Sequence, residues 1–468
     1  MIYSIFSATF MMYIYYHTVD FPNADDYTSI IEPVSSFLRH GNFKDLISPH
    51  SQHIQLTSRL ISLFYLEVFG SIRFDYLMMT GAIGIICLPL VLGSAYMLPG
   101  AFLLFQPGYS EAILWATASV PNIWVITLAA LSFRSYYKGK FIYSWLYSIL
   151  ASFTWGSGIL APIIIALSLI FRGKFLYSIF FTSIPLSFYV LSSDASPVIS
   201  TDSLVYGLKA LGSGFSFSSG TLALFFGLML VILALSCSAN QKLCLFIIGT
   251  CLLIGIGRSH LSQDSSFLTS RYHIYAPIVL LAAFPRGIQV FSVLFCILSF
   301  IFFHQDLLMH KNVLETARIR WQVFNDGLLP ENVPHIKAIH IESSKLLSNL
   351  STKVAPSREG ICPESVKPWI KKTRFRSKSI YRSSEYFSLS GYWSVRDIDQ
   401  FMLKINHSKC FISKTYPRPD LFRTLKQRLF GERYGFYFLV PGIVNHCELI
   451  AIKNGDAFGR EVKSCLSQ

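Results

Sequence analysis

The chain is short of charge. Lys, Arg, Asp and Glu make up 14% of its 468 residues, against about 25% in an ordinary soluble domain. With 52% hydrophobic residues and a mean hydropathy of +0.46, that scarcity excludes disorder and fits poorly with a soluble globule. No basic segment precedes the first apolar run and no small-x-small site follows it, so a cleaved signal peptide is not expected. There is no CxxC spacing or Cys/His set to suggest structural zinc, no internal repeat and no low-complexity tract. What abounds instead is aromatic: 40 Phe and 24 Tyr, as expected where rings pack in lipid and at its interfaces. The composition describes a polytopic α-helical membrane protein.

Apolar runs at 2–17, 56–70, 76–98, 111–133, 141–155, 158–171, 175–191, 220–237, 243–257, 273–285 and 288–304 predict about eleven transmembrane helices. Several are short or carry proline, which neighbouring helices in a bundle can accommodate. Between them lie basic connections: Arg134, Lys138 and Lys140; Arg172 and Lys174; and the single charges Arg73, Lys242 and Arg286. Eleven spans put all of these on one side, cytoplasmic by the positive-inside rule. Segments 19–55, 192–219, 258–272 and the tail then share the opposite face.

Charge divides the chain in two. Residues 1–304 carry 14 Lys+Arg against 11 Asp+Glu, whereas residues 305–468 carry 26 against 15. The first part reads as a transmembrane domain with an outer loop at 18–56, the second as a basic extracytoplasmic domain. Helical patterns at 307–325 and 335–350 give way to short alternating runs, predicting a small α+β fold. Cys87, Cys237, Cys244, Cys251 and Cys296 lie in apolar runs as small hydrophobes. The tail holds Cys362, Cys410, Cys447 and Cys465, enough for one or two disulfides with three full pairings allowed. Its charge suits a lipid headgroup, an anionic glycan or nucleic acid, or simply a solvated face beside an anionic bilayer. Its aromatics (Tyr386, Tyr392, Trp393, Tyr434, Tyr437) suit glycan binding or the core of a small domain.

Charges near a membrane core are costly, so the few in the first part are candidate site residues. The segment from Val19 to Arg59 holds the adjacent acids Asp25 and Asp26, His50, His53 and Arg59. Glu111 opens a later run ahead of Trp115, and Arg258 and Arg271 bracket a short outer loop that also holds His260, Asp264 and His273. A carboxylate can take a proton from an attacking hydroxyl. Arginine forks can hold a phosphate as its charge develops. Adjacent carboxylates also raise each other's pKa, which tunes one as a base. Taken singly, each residue has a blander role: helix cap, interfacial histidine or snorkelling arginine. Their shared face is what favours a site.

Five stretches in order carry a resemblance: ADDY (Ala24–Tyr27), PHSQHIQLTSRL (Pro49–Leu60), YSEAILWATAS (Tyr109–Ser119), SFTWGSGILAPI (Ser152–Ile163) and GRSHLSQDSSFLTSRYHIYAP (Gly257–Pro277). The chain resembles bacterial integral-membrane glycosyltransferases of the GT-C class, and is especially similar to O-antigen-modifying glucosyl transferases. The resemblance implies transfer of a sugar from a polyprenyl-phosphate carrier to a surface glycan or lipid-linked acceptor, at the outer face of the bacterial inner membrane. Asp25 or Asp26 would be the catalytic acid, and Arg258 or Arg271 would hold the lipid phosphate. Tyr272 belongs to the same Ser-Arg-Tyr motif. His50, His53 and Arg59 would shape the first-loop wall, and Glu111 would bind sugar hydroxyls. Gln52 and Ile54 stand where the pattern has Glu and Arg, and Ala112 where it has Asn, so roles resting on those groups do not carry over. No metal ligands are assigned. Members of the class differ in metal dependence, which leaves a divalent cation open. The expected partners are the lipid-linked donor, the glycan acceptor and membrane lipid, and not nucleic acid.

Two other readings compete. An O-antigen polymerase or ligase also has ten or more spans and depends on outer-loop arginines, whereas an acid pair straight after the first helix favours a transferase. A flippase or transporter would show pseudo-symmetric halves and charges near the midplane, and neither is apparent.

Overall fold

The computed structural model describes residues 1–50, 53–192, 200–216, 219–236, 240–258, 270–284 and 288–324. Beyond these it describes the strands between Glu359 and Glu461, together with residues 362–363 and 406. They fall into two compact units that part between Leu307 and Leu308.

The first unit is helical. Helix α1 (Ile2–His17) leads into a polar segment with α2 (Ala24–Asp26), a π-helical turn (Tyr27–Ile31), α3 (Glu32–His40) and α4 (Phe43–Leu46). A two-stranded hairpin, β1 (Pro49–His50) and β2 (His53–Ile54), precedes α5 (Leu56–Phe69). There follow α6 (Phe74–Leu92), α7 (Ser94–Leu104), α8 (Ser110–Leu114), α9 (Ala116–Tyr137), α10 (Phe141–Thr154) and α11 (Leu160–Ile170). Then come α12 (Phe175–Ser192), α13 (Thr201–Gly212), α14 (Gly220–Ser236), α15 (Gln241–Arg258), α16 (Tyr275–Ala283) and α17 (Gln289–Phe324). Three of these, α6, α9 and α15, are long and apolar enough to cross a membrane, and a fourth candidate joins if α13 and α14 form one bent span. At 19 and 22 residues, α6 and α9 are about 28 and 33 Å long at 1.5 Å per residue.

Side-chain contacts define two ends of this bundle. At the first, Arg73 closes on Asp20 (3.0 Å) and Asp75 (2.6 Å), and the Phe74 N–H donates to Asp20 at 2.8 Å. The end of α1 and the start of α6 are thus neighbours. At the second, Arg134 donates to the carbonyls of Leu90 and Val91, capping α6 from the end of α9. The next segment returns between them. Tyr96 accepts from Asn240 at the second end (2.7 Å), and the Glu111 N–H donates to Ser270 at the first (2.8 Å).

This geometry corrects the sequence reading in several places. Arg73 does not belong with the basic connections, because one of its carboxylate partners, Asp20, follows the end of α1. The run at 56–70 therefore does not carry the chain across. Helix α5 instead turns Ser58, Arg59 and Ser62 inward and exposes Leu60, Phe64 and Val68, spaced four residues apart. An apolar outer face over a polar inner one is how a helix lies against lipid. The run at 76–98 breaks at Gly93, whose φ of 124° a side chain would resist. The run at 111–133 breaks at Trp115, where the backbone is extended. Segment 192–219, expected as a loop, contains α13. That helix packs so closely on its neighbours that a Cβ on Gly255 would strike the Ser203 carbonyl, and one on Gly227 the Leu208 carbonyl.

The second unit contains the rest of α17 and two sheets. One sheet has β3 (Glu359–Gly360), β8 (Lys409–Ile412), β7 (Gln400–Ile405), β11 (Cys447–Lys453), β12 (Asp456–Glu461) and β4 (Lys367–Pro368), in that spatial order. The other has β5 (Phe375–Arg382), β6 (Tyr386–Trp393), β10 (Tyr434–Pro441) and β9 (Lys414–Pro417). A disulfide joins Cys362 to Cys410 beside a small core of Met402, Ile450 and Ala457. Cys447 is disulfide-bonded as well. The helix expected at 335–350 lies outside the described residues, as do His260, Asp264 and Gln52.

Single cysteines test the corrected path. In sealed vesicles, Arg73→Cys and Asp20→Cys should react with a membrane-impermeant maleimide from the same side, and Lys138→Cys from the other. Labelling of Arg73→Cys from the Lys138 side would restore α5 as a span.

Candidate functional site

The acid pair is built by a helix start. Asn23 precedes α2, and its backbone N–H donates to Asp26 Oδ2 at 2.8 Å, one half of a capping box. The other oxygen, Oδ1, accepts the Thr117 backbone N–H at 2.7 Å and the Thr117 hydroxyl. Thr117 lies in the first turn of α9, where N–H groups have no partner within the helix. The Thr117 hydroxyl in turn accepts from Ser29 at 2.7 Å. Asp26 thus closes two helix starts at once and is fully buried. Burial pushes its carboxyl up to about 7, while the bonds from Thr117 and Asn23 pull the other way. Asp25 is exposed. The structure separates two acids that are neighbours in the chain.

Arg59 is likewise occupied. Its Nε donates to the Ser29 carbonyl (2.8 Å), and Nη1 donates to those of Leu46 (2.8 Å) and Ser48 (2.6 Å). It ties the polar segment together from inside. The hairpin beside it pairs His50 with His53 across the two strands. His53 packs on Trp155 with ring centroids 4.2 Å apart, in space that Gly156 leaves by having no side chain. Thr57 and Thr154 bond at 2.7 Å, so the hairpin and the α10–α11 turn form one wall. Burial holds the His50 imidazole below its usual range, opposed by the charges of Asp25 and Glu32.

The remaining candidates come from the turn at 270–273. Ser270 bonds to Ser110 (3.1 Å) and to the Glu111 N–H, and His273 Nδ1 bonds to the Gly108 carbonyl (2.7 Å). These contacts set Arg271 between two rings, 5.4 Å from the centroids of both Trp115 and Tyr272. Arg258 stands 6.0 Å from the Tyr272 ring. Burial works against the charge on Arg271, but Tyr272, Glu111 and Asp25 outweigh it and keep the guanidinium firmly charged. That coupling puts Asp25, Glu111 and Arg271 within one electrostatic neighbourhood.

Several polar atoms here are buried without a hydrogen-bond partner among the described residues: Arg271 Nε, Trp115 Nε1, Glu111 Oε2, Arg59 Nη2 and both polar atoms of Gln55. Each such group costs about 1–3 kcal/mol. Of these, Arg271 and Trp115 adjoin one another and Glu111 acts on the Arg271 charge, and unpaired groups so placed are the pattern of a site whose partners are supplied by a ligand. Thr117, Ser29 and Gln55 were not singled out in the sequence. A hydroxyl residue just after a helix break is a recognisable start signal for Thr117, whereas an amide ahead of an apolar run carries none for Gln55. Among the described residues no three His, Cys, Asp or Glu side chains stand together to hold a metal ion. No protein-family model, curated protein or solved structure matches the chain.

The two acids should separate experimentally. Asp26→Ala strands two helix starts and should cost about 2–4 kcal/mol, visible as a lower Tm in detergent, whereas Asp25→Ala should leave Tm unchanged. The Asp26 contribution also depends on pH. Folded Asp26 keeps its proton up to about 7 and the unfolded residue only to 3.8, so the stability it lends falls as pH rises through that window and is level above it. In Asp26→Asn this component of the Tm–pH slope should vanish, and an unchanged slope would contradict the assignment.

Proposed function

We propose that this chain is a membrane-embedded glycosyltransferase of the GT-C type. It takes a sugar from a polyprenyl-phosphate carrier and adds it to a surface glycan or lipid-linked acceptor at the outer face of the bacterial inner membrane. The observation that carries the reading is the division of labour at the acid pair. Asp26 is consumed by Thr117 and backbone, leaving Asp25 exposed in the electrostatic reach of His50 and a charged Arg271. A free carboxylate and a cation sharing one field suit an attack that releases a proton and a phosphate together.

In this mechanism the acceptor hydroxyl oxygen bonds to the anomeric carbon as the bond from that carbon to the phosphate oxygen breaks, with inversion. Asp25 takes the hydroxyl proton. Arg271 receives the charge growing on the lipid phosphate, with Arg258 also beside the Tyr272 ring. Glu111 Oε2, Trp115 Nε1 and the Gln55 amide offer acceptors and donors suited to sugar hydroxyls. Asp26, Arg59 and His53 position the first-loop wall. The proposed topology keeps eleven spans by exchange: α5 lies at the interface, and the segment from α7 to α8 crosses in its place.

The test compares surface glycan from cells with the protein, without it, and with single variants, alongside a check of membrane levels. Asp25→Asn should lower transfer by about a hundredfold or more, and with it a hexose-sized mass on the repeat unit. Arg271→Lys keeps the charge but loses the fork, and should fall between the two. A change in glycan chain length with repeat mass constant would replace this reading with a polymerase or ligase working through Arg258 and Arg271.

A further inference from the structure

The opposite end of the helical unit has an unexplained excess of cations. Arg134, Lys138, Lys140, Arg172, Lys174 and Lys242 lie in its connections, and no Asp or Glu occurs in segments 133–145, 168–178 or 237–245. Arg134 is accounted for by the carbonyls it caps. Arg172 and Lys242 are not. Both stand 5.6 Å from the ring centroid of the same tyrosine, Tyr136, and Lys242 is also 5.5 Å from that of Tyr137. Lys242 Nζ donates to the Ser168 hydroxyl at 2.7 Å. Among the described residues neither cation meets a carboxylate. Tyr136 is 4% exposed, and its hydroxyl is buried with no described partner.

Two cations held against one aromatic ring repel each other, and ring faces offset only part of that. An anion between them would offset the rest and give the Tyr136 hydroxyl an acceptor. The surroundings indicate what carries it. Phe171 is 88% exposed, Leu176 82% and Tyr137 56%, so the cation pair adjoins a bare apolar surface. A free anion gains nothing from such a rim, whereas a phosphate attached to acyl chains satisfies both parts.

We propose that Arg172, Lys242 and Tyr136 form a binding site for the phosphate of an anionic phospholipid, at the end of the bundle remote from the candidate active site. Its acyl chains lie along the exposed Phe171 and Leu176. The site is independent of the proposed transfer reaction and uses none of its residues. Lys174, 5.6 Å from the Phe141 ring, flanks it as a secondary cation.

Full-length protein, delipidated in a neutral detergent, should be titrated with phosphatidylglycerol, phosphatidylcholine or inorganic phosphate, with binding followed by native mass spectrometry and Tm. Phosphatidylglycerol should remain bound and raise Tm, and phosphatidylcholine should not. Removing both charges with Arg172→Gln and Lys242→Gln should weaken phosphatidylglycerol about thirtyfold, at roughly 1 kcal/mol per cation. The charge-keeping pair Arg172→Lys and Lys242→Arg should retain binding, which separates a lost site from a lost fold. Lys138→Gln with Lys140→Gln, at the same end, should have little effect. Equal binding by the Gln pair and the unaltered protein would overturn the site. Saturation by inorganic phosphate at the same affinity as lipid would overturn the lipid assignment.

Discussion

The carboxylate of Asp26 joins the polar first loop to the helical bundle. It accepts from the start of its own short helix and from the start of α9, which is among the longest and most buried helices of the unit. Any movement of the loop away from α9 would strand N–H groups at both starts in a region where water does not reach them. That is an expensive outcome for backbone donors. The same contact frees the neighbouring acid. With Asp26 turned in, Asp25 remains exposed.

Arg59 repeats the principle within the loop. A guanidinium has five donors in a planar fork, and here they gather carbonyls from the π-helical turn and from the stretch around α4. An arginine in such a segment reads as a candidate site residue, yet its charge is largely spent on backbone dipoles. The arginine to which the proposed mechanism gives the anion is Arg271, which lies against the Trp115 and Tyr272 rings. Positive charge therefore serves as scaffold at Arg59 and, in the proposed mechanism, as recognition at Arg271, and the distinction rests on the neighbours of each fork.

Much of the architecture was legible because it follows from composition and period. Low charge and long apolar runs point to a helical chain with apolar helices, and the two compact units part between Leu307 and Leu308, near the change in charge. The alternating runs in the tail correspond to strands, since side chains on a strand alternate between faces. Helix α5 was not legible. Its apolar residues satisfy the same hydropathy count as a span, and only the ion pair between Asp20 and Arg73, remote in sequence, shows that it returns to its starting end. Helix α13 was hidden for the opposite reason: its glycines and serines lower its hydropathy while allowing its backbone to pack closely against α15.

What the sequence determined by itself is the inventory: a hydrophobic helical chain with few ionisable groups, and a basic tail with an even number of cysteines. Those are properties of solvation and local periodicity, which act residue by residue. Only the tertiary structure decided which of two adjacent acids is free, which arginine is spent, and on which end Arg73 lies. Each of these depends on a partner between 30 and about 90 residues away. A hydrogen bond or ion pair is set by the positions of two groups in space, and chain order does not specify that distance.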